Sequence, residues 1–462
     1  MSPASFFDEP SMGPVKRGWA WVRSLRTRRF LANVTLLTGG TLVGQAVFML
    51  LSPVLSRLYT PEAFGLFGVF VSTTSVLAVI ATLRYEFAIP LPRREDEARA
   101  LVWVASSAAL LFGLGLILAA RPLAAYQGLW LSSERPADTG GPLFWVAVAM
   151  GVVALSLYQI LSYWLMRGQR YRGLAASKAA MGSMMAVAQL LARLAFVGGW
   201  GLISGWLAGT LAALGVGATV GRPRKGASRL RPWLRSMQPR LWWRMARRFG
   251  RFPLFTMPAG LMNAVAVELP LLLSASLFGP QVAGWFSFAR RIVYAPMRLV
   301  GRSVAQVYIG TLSAAIQRHD PQALRLFDRL SRQMFVLAAG PFVLLGLGAP
   351  VLFRWLFGAT WHWAGVLLQY LTPAYLLNFV VVPLSQTLNL LERQDWQMGW
   401  DATRLVLVLG VFGAAFRWGW DFQRTFLVYS AVSALMYGVF YGLMRRALVL
   451  YLQSAASQDD GR

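Results

Sequence analysis

The chain passes from one long apolar segment into the next through LSRLYTPEAFG, residues 55–65. Mostly apolar residues lie on either side of it, near 34–56 and 62–83. About 20 apolar residues are what an α-helix needs to cross the hydrocarbon core of a bilayer. Two such segments joined by a short turn predict a pair of antiparallel helices in a membrane.

The same alternation of apolar segment and polar turn continues along almost the whole chain. Ten further candidate spans lie near 99–120, 143–166, 174–196, 200–220, 252–277, 282–303, 333–356, 364–390, 400–417 and 424–445. Of the 462 residues, 56% are hydrophobic and only 14% are charged, whereas about a quarter of a soluble domain is charged. We predict an all-α polytopic membrane protein of about 12 transmembrane helices, not a soluble domain.

The charge distribution predicts an orientation. The chain has 45 Lys and Arg against 18 Asp and Glu. Taken alone, this excess would suggest a nucleic-acid partner, but cytoplasmic loops of membrane proteins are also rich in Lys and Arg. With the N-terminus in the cytoplasm, every second turn is basic and the turns between are sparse in charge. The basic turns carry Arg84, Arg93, Arg94 and Arg99, then Arg167, Arg170, Arg172 and Lys178, the stretch 222–251, then Arg318, Arg325, Arg329 and Arg332, then Arg393 and Arg404, and finally Arg445 and Arg446. We expect both termini in the cytoplasm and no nucleic-acid partner.

The longest interruption of the apolar pattern divides the spans into six plus six. The predicted units are a cytoplasmic N-terminal segment 1–33, a six-helix half 34–220, a basic amphipathic cytoplasmic linker 221–251, a second six-helix half 252–447 and a cytoplasmic tail 448–462. In the linker, arginines interleave with Trp, Leu, Met and Phe at helical spacing. This pattern favours an interfacial helix on anionic membrane lipid.

The two halves share a short pattern at the turn after their first span. Pro61 stands four residues before Gly65, and Pro280 stands four residues before Gly284. With six spans in each half, both halves start on the same side of the membrane. Transporters built from repeats commonly bind their substrate between them, so we expect a central cavity.

Residues 39–100 resemble the polysaccharide-transport flippases, the Wzx-like branch of the multidrug/oligosaccharidyl-lipid/polysaccharide exporter superfamily. The resemblance rests on SRLYTPEAFG at 56–65, LRYEFAI at 83–89 and the mixed-charge patch at 93–98. It implies a flippase of the bacterial inner membrane that moves undecaprenyl-pyrophosphate-linked oligosaccharide for O-antigen, capsule or exopolysaccharide assembly. The partners it implies are lipid-linked oligosaccharide, a polysaccharide polymerase and chain-length machinery.

Charges inside spans are costly, so they mark candidate sites. Glu268 lies well inside a predicted span, and Arg290 and Arg291 lie at a similar depth on the next one. We predict an ion pair of Glu268 with Arg290 or Arg291. The pair either locks two helices together or, if Glu268 takes up a proton, couples transport to a proton gradient.

Further arginines are candidates for contact with the cargo. Arg291, Arg298 and Arg302 fall on one helical face because they are spaced by seven and four residues. A pyrophosphate needs such groups, and guanidinium matches phosphate geometry. Arg298 and Arg302 alternatively extend to the inner interface. Arg84 either forms the matching wall of the other half or pairs with Glu86 at the interface.

Uncharged polar residues in the spans either bind sugar hydroxyls or hold helices together. They are Gln45, Asn263, Asn378, Gln386 and Asn389. Glycines with small-residue spacing, at Gly40 and Gly44 and at Gly201, Gly205 and Gly209, predict close helix packing. Pro258, Pro270 and Pro296 predict kinks that would suit a moving gate.

The sequence contains no enzyme motif and points to no cofactor. It has no cysteine and two histidines without metal-ligand spacing, and we expect no cleavable signal at its N-terminus. The first alternative to a flippase is an ion-coupled multidrug-type exporter, which we expect to carry fewer arginines in its spans. A membrane glycosyltransferase or polymerase generally has a large outer loop, while the longest one here, Arg121 to Pro142, holds no catalytic cluster. A lipid II flippase is expected to have two more spans.

Overall fold

The computed structural model describes residues 39–130, 141–221, 233, 236–317, 320 and 322–459. The predicted N-terminal segment 1–33 lies outside the described residues, as do residues 222–232, 234 and 235 of the predicted linker 221–251, and Arg318. The helices are α1 (Gly39–Leu58), α2 (Pro61–Ala81), α3 (Glu95–Leu118), α4 (Ala120–Trp130), α5 (Gly141–Arg167), α6 (Tyr171–Ala192), α7 (Trp200–Val220), α8 (Pro239–Arg248), α9 (Met257–Gln317), α10 (Gln322–Phe357), α11 (His362–Val381), α12 (Gln386–Leu390), α13 (Gln394–Trp418) and α14 (Phe422–Asp459).

Within these ranges, eleven helical segments are long and apolar enough to cross a membrane. The longest, Phe252–Ile316, is broken at Gly279, whose φ of 83° and ψ of 174° interrupt the helix. Glycine tolerates a positive φ because it has no Cβ. The break yields two arms, α9a (257–278) and α9b (280–317), so the segments supply twelve membrane crossings. The predicted all-α polytopic fold is confirmed.

Some bounds differ from those predicted. α9b continues to Gln317 rather than ending near 303, and α10 begins at Gln322 rather than near 333. Both extensions are helical and continue the neighbouring candidate spans. Helix α4 occupies Ala120–Trp130, within the segment we expected to be an outer loop.

The helices pack as two groups. Helices α1 to α7 contact one another in the first group, and α9 to α14 do so in the second. Helix α1 approaches α6 where Gly44 faces Gly182, and Gly205 and Gly209 of α7 lie against Gln189 and Met185 of α6. The predicted close packing at these glycines is therefore confirmed. Helix α2 packs along α9 and is the main connection between the groups.

Helix α8 lies between the two groups in the chain and rests on the first turns of α3. Leu241 and Met245 are buried there, and the ring of Trp242 stacks on Trp103 of α3, with ring centroids 6.0 Å apart. A π-helical turn, Phe252–Thr256, then leads into α9. The apolar side of the linker helix therefore contacts protein.

Candidate functional site

A cavity of about 790 Å³ lies among the helices of the second group. Its wall comes from both arms of α9, the end of α11, α12, the start of α13 and the middle of α14. All of its lining residues fall between Ala259 and Phe440. A cavity of this volume falls in the range of small-molecule and cofactor sites.

Much of the wall is uncharged and polar. Six carboxamide side chains line it: Asn263, Asn378, Gln386, Asn389, Gln394 and Gln397. A carboxamide both donates and accepts hydrogen bonds, as a sugar hydroxyl does. Of the polar residues named from the sequence, Asn263, Asn378, Gln386 and Asn389 are on this wall, and Gln45 of α1 is not.

Aromatic rings form another part of the wall. The rings of Trp400 and Phe440 stack with centroids 4.2 Å apart and an interplanar angle of 16°. Asn378 Nδ2 donates a hydrogen bond to the Tyr437 hydroxyl at 2.5 Å, and Trp400 Nε1 donates to the Met436 carbonyl at 2.8 Å. These bonds fix the rings, and the carboxamides beside them provide polar contacts.

The charged part of the wall is cationic. Arg298 and Arg302 of α9b and Arg404 of α13 line the cavity, while Asp401 is the acid on its wall among the described residues. The Arg404 guanidinium lies over Trp400 at 5.5 Å and over Tyr437 at 5.7 Å. Sequence reasoning had assigned Arg404 to a cytoplasmic turn. Helix α13 begins at Gln394, six residues before the predicted start of its span near 400, so Arg404 lies inside the helix rather than at its end, on the cavity wall.

The acid inside the spans forms an ion pair with one of its two candidates. Arg290 Nη2 donates to Glu268 Oε2 at 2.6 Å, and Arg290 Nη1 donates to the Val267 carbonyl at 3.2 Å. The Ser72 hydroxyl of α2 donates to the same Glu268 oxygen at 2.7 Å. The pair therefore joins α9a to α9b, and Ser72 connects it to the first group.

The Arg291 side chain points toward the first group of helices, away from Glu268. Its guanidinium lies 3.5 Å from the ring centroid of Phe48 and 5.4 Å from that of Phe67, and its Nη2 approaches the Met185 sulfur at 3.5 Å. Its Nη1 is buried without a hydrogen-bond partner in the described part of the chain. A charge held this way inside a membrane protein costs free energy, which marks it as a candidate anion ligand.

Arg84 lies at the end of α2, away from the cavity wall. Its backbone is left-handed, with φ 60°, and its Nη1 lies 3.5 Å from Glu86 Oε1. Its side chain packs against Gly260 at the start of α9a. Burial raises the pKa of the Glu86 carboxyl, and the Thr82 hydroxyl and the Arg84 charge partly offset that rise. Arg84 thus pairs with Glu86 where the end of α2 meets α9.

The shared Pro–Gly pattern forms a contact between the two groups. A Cβ at Gly65 would overlap the carbonyl oxygen of Pro280, and a Cβ at Gly284 would overlap that of Pro61. Each glycine thus lies on the proline of the other repeat. We call this the Pro–Gly contact, defined by Pro61, Gly65, Pro280 and Gly284.

Hydrogen bonds and aromatic packing surround the Pro–Gly contact. The Ser287 hydroxyl donates to the Phe64 carbonyl at 3.1 Å, crossing between the groups. Trp361, which is fully buried, donates from Nε1 to the Ser56 carbonyl at 2.8 Å, and its ring packs against Phe288, with centroids 4.3 Å apart. At this end the two groups are closed against each other.

Comparison with known proteins gives a family and a fold. Residues 54–365 match the sequence profile of the family described as polysaccharide biosynthesis protein. The succinoglycan biosynthesis transport protein ExoT of Rhizobium meliloti (strain 1021) is 26% identical over 326 residues, which are 68% of this chain. The chain spans 59% of the length of that relative.

Solved transporters share the fold. An inward-facing multidrug resistance MATE family transporter of the MOP superfamily superposes with a TM-score of 0.66 at 14% identity, covering 91% of this chain and 99% of the other. An outward-facing structure of such a transporter gives a TM-score of 0.56 at 12% identity, covering 91% and 96%. At these identities the likeness concerns the fold.

Proposed function

Since the chain belongs to the polysaccharide biosynthesis protein family, we propose that it is a flippase that moves undecaprenyl-pyrophosphate-linked oligosaccharide repeat units across the bacterial inner membrane. The products would be O-antigen, capsule or exopolysaccharide. The chain is a multi-pass membrane protein, and it acts as a transporter rather than an enzyme. A polysaccharide polymerase and chain-length machinery would act on what it delivers.

The cavity wall supports this proposal most directly. Three guanidinium groups, of Arg298, Arg302 and Arg404, face one carboxyl group, of Asp401, among six carboxamides. The excess of positive charge suits a pyrophosphate or an acidic sugar, since arginine binds phosphate and carboxylate with two parallel hydrogen bonds. The carboxamides and the Trp400 ring suit a polyhydroxylated cargo. A cationic drug would be repelled by the same wall.

The flippase works by alternating access in this proposal. The Pro–Gly contact closes one end of the junction between the groups, and the cationic cavity receives cargo from the other side, taken as cytoplasmic from the positive-inside distribution. Cargo crosses when the Pro–Gly contact opens and the α2–α9 junction closes at its opposite end. Arg291, which has no acidic partner among the described residues, meets the pyrophosphate at mid-depth as the groups separate.

Glu268 is the candidate coupling group. It accepts from Arg290 and from Ser72 across the junction, so protonation would weaken both bonds and loosen α2 from α9. A Glu268→Gln variant is expected to keep the helices packed and to lose the dependence of transport on a proton gradient. Undiminished transport with undiminished proton dependence in that variant would leave Glu268 as a purely structural partner of Arg290.

The experiment for the overall function is deletion of the gene, followed by measurement of the lipid-linked repeat unit on each leaflet. Accumulation on the cytoplasmic leaflet together with loss of polymer is the expected result. Complementation with Arg298→Ala/Arg302→Ala should fail to clear the accumulated lipid. The matched control is Arg325→Ala/Arg329→Ala, which removes two exposed arginines of α10 that do not line the cavity.

The outcomes separate the two candidate activities. Polymer made at the normal level by a deletion strain that has no second flippase would refute the flippase. If that strain also became sensitive to cationic drugs, a multidrug-type exporter would be the correct assignment.

A further inference from the structure

One face of α8 carries a row of exposed arginines. Arg240, Arg244 and Arg247 are exposed at helical spacing, and Arg251 continues the row just beyond the helix. We call these four residues the linker stripe. Trp243 lies among them with 72% of its surface exposed.

The opposite face of α8 is fully engaged with protein. Leu241 and Met245 are buried, and Tyr85 donates from its hydroxyl to the Ala246 carbonyl at 3.1 Å. Arg248 Nη1 pairs with Glu97 Oε2 of α3 at 3.2 Å. Leu241, Trp242 and Met245, which contribute to the amphipathic pattern of the linker in sequence, therefore pack on protein, and the linker stripe is what the helix presents outward.

The contacts of α8 place it at the end of a membrane span. Glu97 is in the first turn of α3, and Trp103, which stacks on Trp242, lies about 12 Å into α3 at 1.5 Å per residue. Trp103 also contacts Trp233, with ring centroids 6.2 Å apart. Tryptophans gather where a span meets the lipid headgroups, so the linker stripe lies at headgroup level.

Apolar side chains that follow the linker stripe in the chain are also exposed. Leu254 and Phe255, in the π-helical turn after α8, expose 70% and 71% of their surfaces. Together with Trp243 they give this face an apolar part beside a cationic part. A nucleic acid or an acidic protein would match only the charges, whereas a lipid surface matches both parts.

We propose that the linker stripe binds the phosphate groups of anionic phospholipids, with Trp243, Leu254 and Phe255 reaching the acyl boundary. The charges are complementary, because four guanidinium groups stand on this face and α8 itself contains no acid. Each arginine near an anionic surface contributes about 1 kcal/mol. Bound lipid would hold α8 and the start of α9 at the membrane surface, and this inference does not depend on what the protein transports.

The test is lipid binding by the purified full chain in bilayer nanodiscs. The unmodified chain and its variants are placed in discs of phosphatidylcholine with about 20% phosphatidylglycerol. Native mass spectrometry or spin-labelled phosphatidylglycerol then reports which lipids each protein retains. A variant with Arg240, Arg244, Arg247 and Arg251 all changed to Gln should lose at least about tenfold in preference for phosphatidylglycerol. A variant with the same four residues changed to Lys should keep most of it.

The matched control is Arg325→Gln/Arg329→Gln/Arg332→Gln, which removes exposed arginines of α10. Its preference for phosphatidylglycerol should stay within about twofold of that of the unmodified chain. Equal preference in the four-Gln variant and the unmodified chain would overturn the proposal, as would tighter binding of the stripe to RNA than to phosphatidylglycerol at physiological salt. If the four-Gln variant does not fold, the same criteria apply to Arg244→Gln/Arg247→Gln, with about fivefold as the expected loss.

Discussion

The two ends of the junction between α2 and α9 are built from opposite kinds of residue. At one end, Gly65 and Gly284 let backbones touch, and Phe64, Phe288 and Trp361 fill the space around them with almost fully buried rings. Toward the other end, α9b carries the long side chains of Arg298 and Arg302 on the wall of a cavity. The four residues of the Pro–Gly contact and the rings around them carry no charge, while the cavity wall carries charges that require water or an anionic partner.

This difference indicates at which end of the junction separation of the two groups costs more free energy. Separating the glycines exposes backbone and aromatic surface, and it breaks the bond from Ser287 to the Phe64 carbonyl. Binding of an anion in the cavity, by contrast, is favourable, because it neutralises the arginine charges that lie together on the cavity wall. In the proposed cycle, the free energy gained when the cargo binds in the cavity therefore offsets the cost of opening the Pro–Gly contact. The predictions below alter one end or the other.

The largest expected effect comes from locking the closed end. A Cβ at Gly68 would lie 2.9 Å from Ser287 Cβ, within an ångström of the separation of about 3.5–4.5 Å in a disulfide. Gly68→Cys/Ser287→Cys should cross-link α2 to α9b on oxidation and abolish polymer export, and reductant should restore it. The chain has no native cysteine, so no other disulfide can form within it.

Each single-cysteine variant serves as the control for the lock, and both should be insensitive to oxidant. Export that continues after complete cross-linking would show that this end does not open during transport.

A smaller loss is expected when the Pro–Gly contact is overfilled. Gly65→Val and Gly284→Val each add side chain where the opposing proline carbonyl leaves no room. Overpacking of this kind typically costs about 1–3 kcal/mol, so we expect lower thermal stability in detergent and a several-fold loss of export. Gly413→Val is the matched control, because nothing lies within 4 Å of a Cβ there. An equal loss in all three variants would mean that helix propensity, not the contact, is responsible.

The closed end also shows how much the sequence could predict. Span positions follow from local hydropathy, so the twelve crossings could be predicted. The shared Pro–Gly pattern could be seen directly in the sequence. That the two copies of the pattern touch each other was not readable, because it depends on how α2 and α9b pack. Likewise, the depth of Glu268 suggested an arginine partner, but the choice of Arg290 over Arg291 depends on the turn at Gly279, where φ is 83°.

The cavity was predicted less completely. Arg298 and Arg302 were identified because charge inside a span is visible in sequence. Arg404 and Asp401 were missed because they stand at the very start of the predicted span, where charges are assigned to the adjoining cytoplasmic turn, and the helix continues for six residues before that start without a hydropathy signal. The stacked Trp400 and Phe440 come from different helices, and no local pattern relates them.

At the cavity end, the residue missed from the sequence provides the next prediction. Arg404→Gln removes a guanidinium held over Trp400 and Tyr437 and should reduce export about tenfold, the equivalent of about 1.4 kcal/mol. Arg404→Lys keeps the charge and should recover part of the loss, since a lysine does not form paired hydrogen bonds to phosphate. Arg417→Gln, on an exposed turn of the same helix, is the control, and equal effects at both positions would remove Arg404 from the site.

The smallest expected effect lies between the two ends, at Ser72. Its hydroxyl donates to Glu268 across the junction, and Ser72→Ala removes that one bond while leaving Arg290 on the carboxylate. Because Arg290 already neutralises the carboxylate, the lost bond should contribute about 0.5–1.5 kcal/mol, the net value of an ordinary hydrogen bond. If opening breaks this bond, the variant should open more readily, so a cysteine placed at Gly68 should react faster with a water-soluble maleimide, by a few-fold. Ser276→Ala, on α9a, removes a hydroxyl that, among the described residues, bonds to the Leu273 carbonyl of its own helix, and its labelling rate should match that of the unmodified background. A Ser72→Ala rate equal to that of Ser276→Ala would show that the Glu268 pair moves with α2 and that opening occurs elsewhere along α9.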